Sequence, residues 1–180
     1  DEAYVKVFAD DSKANFQREL KQGNPDLANA LRLHYTGKEE QQDICRRWLR
    51  AELRELRTLR SVGIVRPIDT SEDAASVLIW LIHLFNHSAV AIEGMRRVVI
   101  MLDEYQRIDK FRNPAVTDIS GCLHSVFNAC PNGLTIVISF SGYPEEKKLP
   151  NWLSDEIKDR LEKKILVLPR FSHDEAMRFV

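Results

Sequence analysis

Glycine is scarce in this chain of 180 residues, which has seven glycines where an average chain of this length carries roughly twelve or thirteen. The seven are spread along the chain, and no two lie closer than nine residues. Both the G-x-G-x-x-G fingerprint and the G-x-x-x-x-G-K-[ST] loop need glycines within five residues of each other. The 180 residues therefore contain no complete glycine-rich loop that could cradle a phosphate.

The sequence also lacks a long apolar run, has only three cysteines and has no excess of charge of one sign. The longest apolar stretch, residues 74–85, is about twelve residues long, whereas a membrane-spanning helix needs roughly twenty. Lysine and arginine number 26 against 27 aspartates and glutamates, so the net charge of -1 gives no overall attraction to nucleic acid or anionic membrane. Three cysteines favour a reducing compartment over a disulfide scaffold, and we expect a cytoplasmic protein that does not contact membranes.

What the sequence does contain is helical periodicity that alternates with short apolar runs. Helices are predicted over residues 12–23, 25–37, 38–60, 72–87, 113–130 and 155–162. Strands are predicted over residues 4–8, 97–102, 134–140 and 164–169, and a capping box at Ser172–Glu175 predicts a further helix. The runs at 97–102 and 134–140 are apolar without alternation, which is typical of strands buried in a parallel sheet. The pattern predicts an α/β fold with a mainly parallel sheet flanked by helices.

Two carboxylates, Asp103 and Glu104, directly follow the predicted strand at 97–102. Ligands of open α/β sheets bind at this carboxyl edge. In a nucleotide hydrolase such an aspartate holds Mg²⁺, usually through water, because Mg²⁺ prefers hard oxygen ligands. The adjacent glutamate can polarise the attacking water. The plainer alternative is a strand that ends in an acidic surface turn.

Two later elements carry further polar side chains where such a site needs them. Ser139 and Ser141 stand at the end of the next predicted strand, where a small polar residue can sense the γ-phosphate or orient water. Arg160 lies just before another strand, where an arginine can reach a phosphate across a subunit boundary and stabilise transition-state charge. The plainer alternatives are loop serines and a surface ion pair.

The acidic pair after one strand, the serines after the next strand and the later arginine follow one another in a familiar order. In this order they resemble the C-terminal part of the core of P-loop ATPases of the AAA+ or STAND kind, close to origin-recognition-like and related bacterial ATPases. The resemblance implies that Asp103 and Glu104 are the Walker B pair. Ser139 or Ser141 would be sensor 1, where asparagine or threonine is more usual, and Arg160 would be the arginine that precedes the fifth core strand.

The resemblance covers residues 95–180 and implies a layout for the whole chain. Residues 1–10 would hold strand two, 11–93 a helical insertion, 94–170 the part from Walker B to the fifth core strand, and 171–180 the start of the lid. That last part begins with the P-x-x-S-x-x-E-A pattern at 169–176. Because the Walker A loop would precede residue 1, we expect a fragment of a longer protein. The expected cofactors, ATP and Mg²⁺, would bind weakly or not at all to these residues alone.

The resemblance implies an ATPase that hydrolyses Mg-ATP between subunits, with self-association through its core, to remodel or switch a protein or nucleic-acid assembly. In this reading Asp103 would position the metal and Glu104 would activate water. A nucleotide-gated switch with little turnover is one alternative. A non-enzymatic helical α/β interaction module with a fortuitous Asp-Glu pair is another.

Arginines crowd the helix predicted at 38–60, where Arg47, Arg50, Arg54 and Arg57 recur on one side. Such a stripe can contact the phosphates of nucleic acid or an acidic surface of a neighbouring subunit. A solvated or internally paired face is the alternative, because two glutamates partly neutralise the stripe.

Overall fold

The computed structural model describes residues 14–89, 98–110, 113–140, 155–161 and 165–166. This part of the chain is mostly helical, and a small sheet of two parallel strands makes it a mixed α/β protein. The α-helices are α1 (Ala14–Gly23), α2 (Pro25–Thr36), α3 (Glu39–Leu49), α4 (Leu56–Ser61), α5 (Ser71–Ala89), α6 (Asn113–Ala129) and α7 (Asp155–Leu161). The strands are β1 (Val98–Leu102) and β2 (Leu134–Ile138), and a 3₁₀ helix (Tyr105–Lys110) follows β1.

Most predicted elements that fall on described residues are confirmed, including both central strands and the helices that begin near Pro25, Ser71 and Asn113. The strand predicted at 4–8 and the helix predicted after Ser172 lie outside the described residues. Of the strand predicted at 164–169, only Ile165 and Leu166 are described, and neither is in a strand.

The chain divides into two compact units, each made of two stretches. One unit comprises residues 1–100 and 121–135, and the other comprises residues 101–120 and 136–180. The division is defined by contacts and differs from the boundaries that the family resemblance implies, which remain predictions.

The first unit is built around an apolar core contributed by α1 to α5 and the turns that join them. The core side chains that are most completely buried are leucines and isoleucines on these helices and turns, together with Cys45 and Trp48. Among the members of this core are Phe16, Leu20, Leu27, Leu31, Ile44, Cys45, Trp48, Leu53, Leu59, Ile64 and Val77. Their burial at helical spacing explains why the predicted apolar faces were placed correctly.

A buried carboxylate fastens the segment after α4 to this core. Asp26, near the start of α2, is only 9% exposed and accepts hydrogen bonds from the backbone N–H groups of Val65 (2.8 Å) and Arg66 (3.1 Å). Trp48 of α3 donates from its Nε1 to the carbonyl of Arg66 at 2.8 Å. A buried carboxylate is costly unless hydrogen-bonded, so these contacts both satisfy Asp26 and fix the path of the backbone.

The start of α5 is capped by the side chain of Thr70. The Thr70 hydroxyl accepts a hydrogen bond from the Asp73 N–H at 3.1 Å, and the Asp73 carboxylate accepts one from the Thr70 N–H at 3.1 Å, which is a reciprocal capping box. The hydrogen bond from the Thr70 hydroxyl to Asp73 lowers the pKa of that carboxyl. Although α5 is apolar, no helix in the described part of the chain has both the length and the apolar character needed to cross a bilayer.

The single helix predicted over 38–60 is wrong, because α3 ends at Leu49 and α4 begins only at Leu56. On a continuous helix the nine residues from Ile44 to Leu53 turn through about 900°, which would put these two side chains on opposite sides. Both are buried in the same core. The break turns the chain so that Leu53 and Leu59 reach the core that Ile44 already contacts.

Both helices end in the same backbone motif, in which a left-handed residue lets two N–H groups bond back to the last turn. After α4, Ile64 donates to the Leu59 carbonyl and Gly63 to the Arg60 carbonyl, each at 3.0 Å, and Gly63 has φ +71°. After α3, Glu52 donates to the Arg47 carbonyl (2.9 Å) and Ala51 to the Trp48 carbonyl (2.8 Å). Here the left-handed residue is Ala51, with φ 56°. The sequence gives no stop signal at this point because alanine is a strong helix former.

The prediction that β1 is a buried strand is wrong in one respect, since alternate side chains of β1 face solvent. Val99 is 54% exposed and Met101 is 75% exposed, whereas the side chains between and beside them are half-buried. In the described part of the chain the sheet has two strands, so β1 has one hydrogen-bonded neighbour there. A continuous apolar run does not reveal how many neighbours the strand has.

We expect Ala51→Gly to raise the free energy of unfolding by about 0.5–1 kcal/mol, because glycine adopts the left-handed conformation without a Cβ penalty. Gly63→Ala is the matched control at the equivalent position after α4. It should lower stability by about 1 kcal/mol or more, since a Cβ there would also lie 2.8 Å from Nδ2 of Asn29. Chemical denaturation followed by circular dichroism measures both. A loss of stability in Ala51→Gly would show that this backbone motif does not control the break.

Candidate functional site

Ser139 ties together the carboxyl ends of the two strands. Its backbone N–H donates to the Leu102 carbonyl at 2.9 Å, and its carbonyl accepts from the Tyr105 N–H at 3.0 Å. These bonds continue the parallel ladder one step past β1 and β2, into the residues that follow both strands. The polar side chains that the sequence places after the two strands are thereby brought to one edge.

The side chain of Ser139 makes the contact on which the site is built. Its hydroxyl donates a short hydrogen bond to Oδ1 of Asp103. The backbone N–H of Glu104 donates hydrogen bonds to Oδ1 of Asp103 (2.9 Å) and to Oγ of Ser139 (3.2 Å). Three polar groups from two strand ends therefore form one closed hydrogen-bond cluster.

This cluster favours the ionised form of Asp103. The hydrogen bond from Ser139 holds the pKa of the Asp103 carboxyl below its usual value, and the bond from the Glu104 N–H acts in the same direction. Partial desolvation opposes these contributions, and the nearby charge of Arg107 adds to them. Because Asp103 is exposed to solvent, its carboxylate is ready to meet a ligand without prior unfolding of the site.

Glu104 has an unusual backbone, with φ 48°, a left-handed conformation that glutamate rarely adopts. The two hydrogen bonds of its N–H group, to Asp103 and Ser139, hold the backbone there. Its carboxylate forms an ion pair with Arg107, one turn further on in the 3₁₀ helix. Strained backbone of this kind persists where the surroundings over-determine it, and it is found often at functional sites.

An aromatic support lies beside the cluster. Tyr105, the next residue, is 6% exposed, and its ring meets that of Phe140 edge-on, with the ring centres 6.0 Å apart. Burial raises the pKa of the Tyr105 hydroxyl, while its hydrogen bond with buried Ser120 acts in the opposite direction. Tyr105 and Phe140, which directly follow Glu104 and Ser139, are thus packed against each other beside the polar cluster.

Three of the residues predicted for the site come together, namely Asp103, Glu104 and Ser139. Ser141, the other sensor candidate, lies outside the described residues. Arg160 lies on α7, and its side chain is not described. Its predicted role in reaching a phosphate therefore stays a prediction.

The sequence reasoning missed Arg107. Its position three residues after Glu104 is the spacing at which two side chains meet on a helical turn, so the pair was readable from the sequence. No helix was predicted between residues 104 and 113, whereas Tyr105–Lys110 forms a 3₁₀ helix.

The site fits a magnesium ion that also binds phosphate, but not a metal held by protein alone. Among the described residues no group of three or more His, Cys, Asp or Glu side chains could hold a metal ion. Asp103 offers a hard, ionised oxygen donor, and Oδ1 takes all the hydrogen bonds that Asp103 accepts within this part of the chain, which leaves Oδ2. Mg²⁺ is commonly held by one or two carboxylates together with substrate phosphates and water.

Comparison with known proteins adds nothing to this geometry, because no family model, no curated protein and no solved structure matches the chain.

We expect Ser139→Ala to raise the pKa of Asp103, because the largest stabilising contact of the carboxylate is removed. A lowered pKa contributes stability above the ordinary carboxyl value of about 3.9, and that contribution is lost as pH falls through the lowered value. The stability difference between wild type and Ser139→Ala should therefore be present at neutral pH and vanish in acid. Carbon-13 NMR titration of the Asp103 carboxyl measures the shift directly.

Two controls accompany this titration. Ser139→Thr keeps the hydroxyl and should keep the low pKa of Asp103. Thr58→Ala removes an exposed hydroxyl that bonds Glu55 instead, and should leave Asp103 unaffected. If the pKa of Asp103 is the same in Ser139→Ala as in wild type, the serine does not control the ionisation of the site.

Proposed function

We propose that this chain is part of an AAA+/STAND-type P-loop ATPase and supplies the Walker B and sensor 1 parts of its ATP site. The full-length protein would bind Mg-ATP and hydrolyse it to remodel or switch a protein or nucleic-acid assembly. No glycine-rich phosphate loop occurs in the 180 residues, so that element would come from elsewhere in the full-length protein.

The observation that carries this proposal is the hydrogen bond between Ser139 and Asp103 at the carboxyl ends of two adjacent parallel strands. Ligands of parallel α/β sheets bind at that edge. In a simple acidic surface turn, the aspartate would not need a hydrogen bond from a residue at the end of a second strand. Here Ser139 provides that bond and also accepts one from the N–H of the next residue, Glu104. The cluster favours a ligand site over a fortuitous Asp-Glu pair for this reason.

The described residues fit separate roles in phosphoanhydride hydrolysis. Asp103 would hold Mg²⁺ through its free carboxylate oxygen, and bound Mg²⁺ would neutralise charge on the phosphate oxygens. Glu104 would accept the proton of the attacking water, which requires its carboxylate to leave or share the ion pair with Arg107. Ser139 would report the state of the phosphates to Asp103, because its hydroxyl already bonds that carboxylate.

The ion pair between Glu104 and Arg107 favours a second candidate, a nucleotide-gated switch with little turnover. The carboxylate oxygen that contacts Arg107 is occupied and cannot approach an attacking water until the pair opens. Both side chains are largely exposed, at 42% and 69%, so the pair is screened by solvent and can open. The two candidates share the ATP site and differ in turnover.

The proposed setting is the cytoplasm, with self-association through the ATPase core. Cys45, Cys122 and Cys130 are free thiols, and burial raises the pKa of each. Protonated thiols in apolar surroundings are unreactive and suit a reducing compartment.

In the full-length protein, we expect Glu104→Gln to lower ATP turnover by about 100-fold or more and to preserve ATP binding, because the amide cannot accept a proton. Steady-state phosphate release and calorimetric binding of Mg-ATP measure the two effects. Glu52→Gln, an exposed glutamate in the turn after α3, makes the same chemical change and should leave turnover unaltered.

Unchanged turnover in Glu104→Gln would remove Glu104 from the mechanism. Slow turnover in wild type with firm Mg-ATP binding would favour the switch. Absence of Mg-ATP binding by the full-length protein would overturn the proposal and favour an interaction module.

A further inference from the structure

A strongly basic segment runs from the end of α3 through the following turn to α4, outside the site already described. Six exposed arginines form it, and we call it the arginine surface: Arg46, Arg47, Arg50, Arg54, Arg57 and Arg60. Between residues 46 and 60 these six stand against two glutamates, Glu52 and Glu55, which leaves a formal surplus of four positive charges. The chain as a whole carries a net charge of -1, so this surplus is local.

In the structure, not all of the arginines predicted for the stripe are available to a binding partner. Arg54, one of the four predicted for a stripe, forms an ion pair with Asp69 at 3.1 Å. The other five have no ion pair or side-chain hydrogen bond with any of the described residues. Of the two glutamates, Glu55 already accepts a hydrogen bond from Thr58 at 2.7 Å. Among the described residues, five of the six arginines are therefore not internally paired, and a solvated face is the alternative that remains.

The arginines also differ in arrangement from the predicted single stripe. Arg46, Arg47 and Arg50 lie at the end of α3, while Arg57 and Arg60 lie three residues apart on α4. The two helices contact each other within one compact unit, and their common turn is closed by the backbone bonds around Ala51. The surface is thus presented by a firmly built part of the chain.

The choice of arginine indicates phosphate as the partner group. Between residues 39 and 109 every basic residue other than histidine is an arginine, and none is a lysine. The guanidinium group is planar and donates two parallel hydrogen bonds to a phosphate, which a lysine ammonium cannot do. A surface that only needed charge for solubility would have no reason to exclude lysine.

Two further features indicate duplex DNA rather than single strands or RNA. The aromatic side chain of this segment, Trp48, is 2% exposed, so no ring is available there for stacking on unpaired bases. The hydroxyls of Thr58 and Ser61 donate to Glu55 and to the Thr58 carbonyl. They are therefore not free to donate to the 2′-hydroxyl groups by which proteins recognise RNA.

We propose that the arginine surface binds the phosphate backbone of double-stranded DNA without reading its base sequence. The binding is carried by the helical unit and does not depend on the proposed ATPase activity, so it is tested without nucleotide.

The test is fluorescence anisotropy of a labelled DNA duplex with the 180-residue chain, at several salt concentrations between about 50 and 200 mM. Relative to wild type, the variant Arg47→Gln/Arg50→Gln/Arg57→Gln should bind at least tenfold more weakly at the lowest salt. Its slope of log affinity against log salt should be shallower by about 2 to 3, since each lost phosphate contact removes about 0.9. Glu52→Gln should bind more tightly than wild type, which supplies a gain that misfolding could not mimic.

The matched control is Lys21→Gln/Lys38→Gln/Lys110→Gln, which removes the same charge from exposed positions outside the arginine surface. It should keep most of the affinity and the salt slope. An equal loss in this control would overturn the proposal, as would a failure of wild type to bind duplex DNA at the lowest salt. Tighter binding of single-stranded DNA or duplex RNA would overturn the choice of DNA duplex. Binding of polyglutamate in place of DNA would assign the surface to an acidic protein partner.

Discussion

The hydrogen bond from the Ser139 hydroxyl to Asp103 is the constraint on which the candidate site depends. The ladder bonds of Ser139 to Leu102 and Tyr105 bring two strand ends together, and the side-chain bond then fixes where the aspartate carboxylate lies. Once Ser139 and Asp103 are joined, the Glu104 N–H is drawn to both of them, and its backbone takes the left-handed form. Ser139 is thus the largest cause of the lowered pKa of Asp103 and a direct partner of the Glu104 N–H.

In the described part of this glycine-poor chain, left-handed backbone occurs twice at residues other than glycine. The two described non-glycine residues with positive φ are Ala51 and Glu104, and neither is a residue type that commonly adopts this conformation. At Ala51 the conformation is held by two backbone bonds that close the end of α3, and at Glu104 by the bonds to Asp103 and Ser139. Local hydrogen bonding replaces glycine in both places, once to direct the chain into the core and once to shape the site.

Elements whose cause is local could be predicted from the sequence. Periodic apolar residues located α1, α2 and α5, and the apolar runs located both strands. The position of Asp103 and Glu104 after a strand was equally local. Features that depend on distant neighbours could not be predicted, such as the exposure of Met101, the break at Ala51 and the pairing of Arg54 with Asp69. The pairing of Glu104 with Arg107 lies between these cases, since its spacing was visible but its 3₁₀ helix was not.

We propose that the joined ends of β1 and β2 form the magnesium-binding half of an ATP site. The most direct measurement replaces Mg²⁺ by paramagnetic Mn²⁺, with ATP, in the full-length protein and follows the NMR signals of the backbone amides. We expect broadening centred on Asp103, Glu104 and Ser139, and we expect it to be lost in Asp103→Asn. Broadening elsewhere in the chain, or broadening at these amides that survives in Asp103→Asn, would contradict it.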